Sequence, residues 1–483
     1  MNPHHDFYPE YSGRFCGFFL SLLLAAQLHA QQPLSPLPVA PIPTARQLAW
    51  HSMKYYAFVH FGPNTFTNLE WGHGTEAEDL FNPTQLDCRQ WARVARDAGM
   101  EGIILTVKHH DGFCLWPSPH SAHTVKQSRW KNGQGDVLRE LSDACREYGL
   151  KLGIYMSPWD RNHPAYGTPA YNDVFKKQLT EVLTNYGEVF EVWFDGACGE
   201  GPNGKRQEYD FHGFWQLVRQ LQPNAVIFSD AGPDIRWVGN ERGYAAETNW
   251  CSINSYGWVP GVPGVNDQLQ KGDEGGQHWI PTEVNTSIRP GWFYHAEEDG
   301  KVKSVAQLIE NYHASVGSNG NFLLNLPVDR RGLVHENDVQ ALMGLKKYVD
   351  TAFRTNLLAG AKNATATHTR GKNAAFSAKN ATDGKPHTYW ATDDTVKTAS
   401  LEITLRQPTE VSALLLQEYI ALGQRVKKFS IEAQVGNTWQ PVANGTTIGN
   451  RRIVRFPAVR ATKIRVNILD SRACVVLSNV EAY

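Results

Sequence analysis

Lys151-Leu152-Gly153-Ile154-Tyr155-Met156, a helical stretch from Asn172 to Asn185, then Glu191-Val192-Trp193-Phe194-Asp195-Gly196: this run decides the fold. Two short apolar strand patterns bracket a longer amphipathic segment, and parallel strands need such a crossover. The same unit repeats outward in both directions. Upstream lie a strand at Tyr55–His60, a helix at Gln90–Asp97, a strand at Gly102–Val107 and a helix at Asp136–Tyr148. Downstream lie a helix at Phe211–Leu221 and a strand at Ala225–Ser229. The pattern then weakens, with late strands expected at Trp279–Val284 and Phe322–Leu326 and a helix at Val305–Val316 between them. Alternation from residue 50 to 350 predicts an α/β fold, a TIM-like (β/α) barrel, with a doubly wound open sheet as the rival. No G-x-G-x-x-G follows the first strand, which argues against a dinucleotide domain.

The character changes near residue 355. Short alternating segments at Leu401–Leu405, Ser412–Gln417, Phe429–Gln434, Ile453–Phe456 and Lys463–Ile468 predict a C-terminal antiparallel β-sandwich over residues 361–483. At the other end, Arg14 precedes the apolar run Phe15 to Ala26, and Leu28-His29-Ala30 offers a small residue for cleavage. Residues 1–30 therefore read as a signal peptide, 31–355 as the catalytic barrel domain, and the product as exported, periplasmic or secreted. The apolar run is shorter than the roughly 20 residues of a spanning helix, so no membrane span is expected after cleavage.

The chain has 483 residues, net charge −1 and no basic patch, which excludes nucleic acid as a partner. Seven cysteines without a C-x-x-C pair give no metal site and no disulfide framework, although one or two bridges are open to an exported chain. N-x-S/T triplets occur at Asn285, Asn363, Asn380 and Asn444. The 15 Trp, 18 Tyr and 21 Phe explain themselves mostly as core, but several Trp stand beside His, Asp and Glu where loops are expected.

Barrel enzymes carry their chemistry where strands end. Here the strand ends meet His60, His109-His110-Asp111, Tyr155, Trp193-Phe194-Asp195-Gly196 and Ser229-Asp230 in succession. A lone strand-end Asp more often caps a helix; five polar strand ends in a row are harder to assign that way. Asp195 is the sharpest, because period-two alternation puts Trp193 on its side and Gly196 leaves room for a ligand. A rigid, ionised carboxylate beside an aromatic wall suits the nucleophile of a retaining glycosidase, which needs a second carboxyl as acid. Asp230, Asp234, Glu241, Glu247 and Glu283 are the candidates. Asp230 and Asp234 flank Gly232-Pro233 and suit a turn, while Glu247 and Glu283 suit binding or orienting. Glu241 lies in a glycine-bounded loop, with Arg242 beside it as a group that would lower its pKa if the two paired. Adjacent His109 and His110 point to opposite faces unless the chain bends, which disfavours a metal pair.

These motifs resemble glycoside hydrolase family 29, the α-L-fucosidases. The resemblance rests on Phe58-Val59-His60-Phe61-Gly62, Leu69-Glu70-Trp71-Gly72, Lys108-His109-His110-Asp111-Gly112-Phe113, Gly153 to Trp159, Trp193-Phe194-Asp195-Gly196, Ser287 to Tyr294 and Asn321 to Pro327. It implies Asp195 as nucleophile, with His60, Glu70, Trp71, His109, His110, Tyr155, Trp193 and Trp292 holding fucose. The Gly239-Asn240-Glu241 loop is similar to the subfamily that prefers branched α-1,3- and α-1,4-linked fucose, and by that likeness Glu241 is the acid/base. Asn380-Ala381-Thr382-Asp383-Gly384 with Tyr389-Trp390 resembles a discoidin-like (F5/8 type C) domain, in which a structural calcium is a possibility. The resemblance thus implies a retaining exo-α-L-fucosidase acting on fucosylated oligosaccharides or glycoconjugates, with no cofactor or metal required for catalysis. The rivals are a retaining hydrolase of a related sugar such as α-galactose and a non-catalytic glycan-binding protein.

Overall fold

The computed structural model describes residues 34–483, and Ser35–Tyr483 form one compact unit. The expected signal peptide lies outside the described residues. Helix α1 (Ala45–Ser52), opened by a capping box from Thr44 and Gln47, leads into the barrel. The eight parallel barrel strands are β1 (Tyr55–Val59), β2 (Gly102–Lys108), β3 (Lys151–Met156), β4 (Val189–Trp193), β5 (Val226–Ser229), β6 (Ile235–Trp237), β9 (Thr282–Ser287) and β10 (Asn321–Asn325). They close in sequence order, β10 pairing back onto β1, so the open-sheet rival is excluded. A short pair, β7 (Ser252–Ile253) and β8 (His278–Trp279), decorates the long β6–β9 connection.

Helices α3 (Cys88–Asp97), α4 (Val137–Tyr148), α5 (Ala170–Thr184), α6 (Phe211–Leu221), α8 (Val305–Ser315) and α9 (Glu336–Ala352) cover the outside of the barrel; α2 (Pro63–Thr67) and α7 (Asn266–Lys271) are short loop helices. Asp87, Asp136 and Asp210 cap α3, α4 and α6 through their side chains. Outward residues such as Ala57, Ile103, Val192 and Ile227 pack under the helices. Inward residues, among them Tyr56, Phe58, Tyr155, Trp193 and Phe228, fill the barrel.

The sequence pattern missed β6. Only three residues long, it follows β5 after a tight turn in which Ser229 Oγ donates to the Gly232 carbonyl, with no helix between them to announce it. The late strand also starts later than expected, at Thr282, because His278–Trp279 belongs to the separate antiparallel pair.

Beyond residue 355 the chain forms an antiparallel β domain: β11 (Asn363–Ala366), β12 (Trp390–Ala391), β13 (Ala399–Glu418), β14 (Val426–Val435), β15 (Thr438–Gly445), β16 (Arg452–Ser471) and β17 (Val476–Ala482). The order is β12-β17-β13-β16-β14-β15, with β11 on β13. Four expected short strands are here two strands of 20 residues each, β13 and β16, paired along their length across two register shifts. The irregularities let each strand run through both halves of one core, where Leu401 and Leu416 meet Phe429 and Ile464.

This domain packs under the barrel, at the end opposite the strand ends that carry the polar residues. Asn450 Nδ2 donates to the His51 carbonyl at 3.1 Å, Asn249 N–H to Thr447 Oγ1 at 2.9 Å, and Ile453 N–H to the Gly317 carbonyl at 3.0 Å. Among the described residues the six cysteines are free thiols, and no helix is long and apolar enough to cross a membrane.

Candidate active site

Strand β4 stops at Trp193, and the next turn aims Asp195 into the barrel mouth. Its Oδ2 accepts from the Tyr155 hydroxyl at 2.9 Å and its Oδ1 from the Ala197 N–H at 2.7 Å, while 26 % of the side chain stays exposed. Two donors thus fix the carboxylate and leave one face free. Asp195 caps no helix; Asp210 performs that service for α6. Gly196 has a steric reason to be glycine, since a Cβ there would lie 2.6 Å from the Gly261 backbone nitrogen. Trp193 stacks on Phe228 at 3.9 Å between ring centroids, 13° from parallel, and walls the floor.

Burial favours the neutral form of all three histidines at the mouth, and hydrogen bonds orient two of them, His60 and His110. His60 Nδ1 lies 2.7 Å from Asn325 Oδ1, and Asn325 Nδ2 donates to Ser287 Oγ and to the Trp292 carbonyl. The amide orientation is therefore set, Nδ1 of His60 must carry the hydrogen, and Nε2 offers a lone pair. Burial pushes this imidazole down to about 3. His110 follows the same logic: Ser157 Oγ gives its hydrogen to the Trp159 carbonyl and accepts from His110 Nδ1, leaving Nε2 3.8 Å from Asp195 Oδ2. Burial lowers the pKa of His110, against the pull of Asp195, and lowers that of His109 further. Adjacent His109 and His110 both reach the mouth, their ring centroids 4.1 Å apart, because β2 bulges between Thr106 and Lys108 and then bends. Simple alternation would have sent them to opposite faces.

Glu70 ties down the opposite rim. Its Oε2 accepts the Trp292 N–H at 3.0 Å and its Oε1 lies 2.6 Å from His295 Nε2. Trp71, 55 % exposed, stands edge-on to His110 and Trp159. Glu241 is an exposed rim residue whose carboxyl tucks toward Trp292, whose Nε1–H donates to Oε2 at 3.3 Å. Partial burial, with the nearby Asp195 and Glu70 charges, holds this carboxyl above the ordinary glutamate range, and the Trp292 N–H pulls the other way. Arg242 turns its guanidinium over the Tyr244 ring at 4.7 Å, not onto Glu241.

All ten side chains singled out in the sequence line one cavity of about 240 Å³, joined by Phe58, Ala197 and Asn285. A second cavity of about 280 Å³ adjoins it across Asp195 and Glu241 and adds Asp230, Trp237 and Gly261. Asp230 accepts the Gly261 N–H with both oxygens, and burial raises it to about 6, helped by the Asp195 charge. The other carboxyls are elsewhere. Asp234 is salt-bridged to Arg46 and Arg219, and Glu247 faces Arg452 of the β domain. Glu283 is buried inside the barrel beneath Trp193, whose Nε1–H it accepts at 2.9 Å. Asn285 is a residue that sequence reading placed among glycosylation triplets; 3 % exposed and facing the cavity, it accepts from Trp237 Nε1. Its position two residues after Glu283 on one strand was the available signal.

Neutral acceptors, aromatic walls and two carboxyls across a hollow at a barrel mouth define a glycoside hydrolase. Comparison with known proteins makes the assignment particular. The family model "Alpha-L-fucosidase" matches residues 44–352 and "F5/8 type C domain" matches residues 363–479. The chain is 41 % identical to Alpha-L-fucosidase 1 of Arabidopsis thaliana, over 94 % of this chain and 88 % of that one. A Ruminococcus gnavus GH29 fucosidase solved in complex with fucose superposes with a TM-score of 0.84 at 30 % identity, covering 93 % of this chain and 96 % of that one. The crystal structure of SpGH29 gives 0.88 at 38 %, covering 93 % and 99 %. This chain belongs to the α-L-fucosidases, glycoside hydrolase family 29, and carries an F5/8 type C domain.

Proposed function

We propose that this enzyme is an exported, retaining exo-α-L-fucosidase that removes branched α-1,3- or α-1,4-linked fucose by double displacement. The observation that carries the reading is the meeting of Asp195 and Glu241 in one small aromatic-walled cavity. Asp195 Oδ attacks the anomeric carbon while Glu241 gives its proton to the departing glycosidic oxygen, leaving fucose esterified to Asp195. Glu241, now a carboxylate, takes a proton from water as that water attacks the same carbon, which frees fucose and restores both groups. The raised pKa of Glu241 favours the protonated form that the first step needs. The lone pairs of His60 and His110 accept sugar hydroxyls, and the apolar faces around Phe58 and Trp292 receive the C6 methyl. Every group the reaction needs is a side chain, so no cofactor is invoked. In the F5/8 type C domain, Asp383 is occupied in its own turn: it accepts from Thr388 Oγ1 at 2.8 Å and from the Lys385 N–H at 2.9 Å. That single engaged carboxylate does not by itself make a calcium site, which takes six to eight oxygens.

The test is incubation with Lewis-type and H-type oligosaccharides, scored for free fucose and for the anomer first released. Release from Lewis-type glycans alone, as the α-anomer, is the expected result. Asp195→Ala should lose on the order of 10³-fold or more in kcat and regain part of it with azide. Unchanged turnover in that variant removes the mechanism, and fucose binding without release favours a silent lectin.

A further inference from the structure

Directly below the cavity floor lies a buried polar cluster for which neither proposed step has a use. Glu191 and Glu283 are both 0 % exposed and project into the barrel from β4 and β9. Glu283 Oε1 accepts the Trp193 Nε1–H at 2.9 Å, and its Oε2 accepts from the Tyr56 hydroxyl. Trp50 Nε1–H is shared between the Tyr56 oxygen at 2.9 Å and Glu191 Oε2 at 3.2 Å. Glu191 Oε1 has no hydrogen-bond partner among the described residues, and the charge of Glu283 nearby adds to burial in raising the Glu191 pKa.

The donor count settles the protonation. Glu283 receives two strong donors and Glu191 half of one, so the anion belongs on Glu283 and the proton on Glu191. Two ionised carboxylates in contact inside a dry barrel would repel, and burial raises both groups, Glu191 the further. A proton on Glu191 Oε1 removes that repulsion and leaves no bare anionic oxygen where no donor reaches.

Trp193 is the member of this cluster that also belongs to the cavity. Its indole is held at two places, the Phe228 face and the Glu283 carboxylate, and it ends β4 two residues before Asp195. We propose that Glu283 is a positioning residue for the fucose site: its carboxylate, backed by Glu191, anchors the Trp193 indole so that the ring presents its face to the sugar and keeps its N–H out of the cavity. A freed indole N–H would be a buried unpaired donor, satisfied only by rotating the ring toward the sugar hydroxyls and away from the Phe228 stack. This inference rests on the proposed fucosidase reading, since it needs a sugar against Trp193.

The experiment is a double-mutant cycle on Glu283 and Trp193, read as kcat and KM for an aryl α-L-fucoside with far-UV circular dichroism as the fold control. Glu283→Leu should lower kcat/KM about 100-fold, the scale at which a misplaced wall costs turnover. In the Trp193→Phe background, where no N–H needs an acceptor, the same change should cost less than about fivefold further. Glu283→Gln keeps one carbonyl for the indole and should stay within about tenfold of the parent. An equal loss in both backgrounds, or full activity in Glu283→Leu, overturns the proposal. If Glu283→Leu does not fold, Glu283→Met, which also offers the indole no oxygen, takes its place in the same cycle and is judged by the same coupling. Failure of the parent enzyme to release fucose would defeat the fucosidase reading instead; the cycle tests only the coupling within an active enzyme.

Discussion

At the scale of single residues, the site works through hydrogen-bond bookkeeping. Asn325 is a good example: it touches no reacting atom, but its fixed amide makes His60 an acceptor at the cavity. Asn325→Leu should release that tautomer and cost about 1–3 kcal/mol of transition-state binding, visible as a roughly 5- to 150-fold fall in kcat/KM. Trp292 sets the acid in the same way. Its N–H favours the Glu241 carboxylate, so Trp292→Phe removes a stabiliser of the charged form and raises the Glu241 pKa. The protonated acid then persists to higher pH, and the alkaline limb of kcat/KM should move up by a fraction of a unit. A limb that stays or moves down would take Glu241 out of the acid role. Residue types at strand ends announced most of this site, but Asn325, Ser157 and Glu283 act through partners more than 30 residues away in sequence, and no local pattern marks such pairs.

At the scale of elements, two irregularities shape the mouth. The bulge in β2 brings His109 and His110 to one side, which strict period-two reading forbids. The close crossing of Gly196 and Gly261 locks the end of β4 to the long β6–β9 connection, the segment that also carries Glu241. Gly196→Ala should push that connection away, because the new methyl would meet backbone at 2.6 Å and Asp230 at 3.0 Å. We expect at least about a tenfold loss in kcat with a small change in Tm, measured by steady-state kinetics and thermal unfolding. Strand β6 escaped sequence reading because three residues carry too little periodicity, and the turn before it holds no helix. Helices α6 and α8 were legible because their apolar spacing and caps sit within the segment itself.

At the scale of the molecule, the β domain braces the barrel from below and takes no part in lining the cavity. Leu415 and Ile453 of that domain belong to the barrel's own hydrophobic core, and Arg455 pairs with Glu310 on α8 through both guanidinium nitrogens. A chain ended after residue 355 should therefore lose stability and aggregate, while Ile453→Ala, about 2–4 kcal/mol less stable, should keep its KM. Denaturant unfolding alongside kinetics checks both; a truncated barrel of full stability would show that the two modules are independent. The exposed Arg455–Glu310 pair contributes little beside the buried apolar contact.

By itself the sequence determined the strand–helix alternation, the β domain and the polar strand ends, because apolar periodicity and residue type are local quantities that burial acts on directly; closure into a barrel rests on the distant pairing of β10 with β1. It determined neither the merging of short segments into β13 and β16 nor the depth of Glu283 beneath Trp193. Those depend on which distant groups a side chain meets once the barrel closes, and hydrogen-bond satisfaction in a dry interior is settled only there.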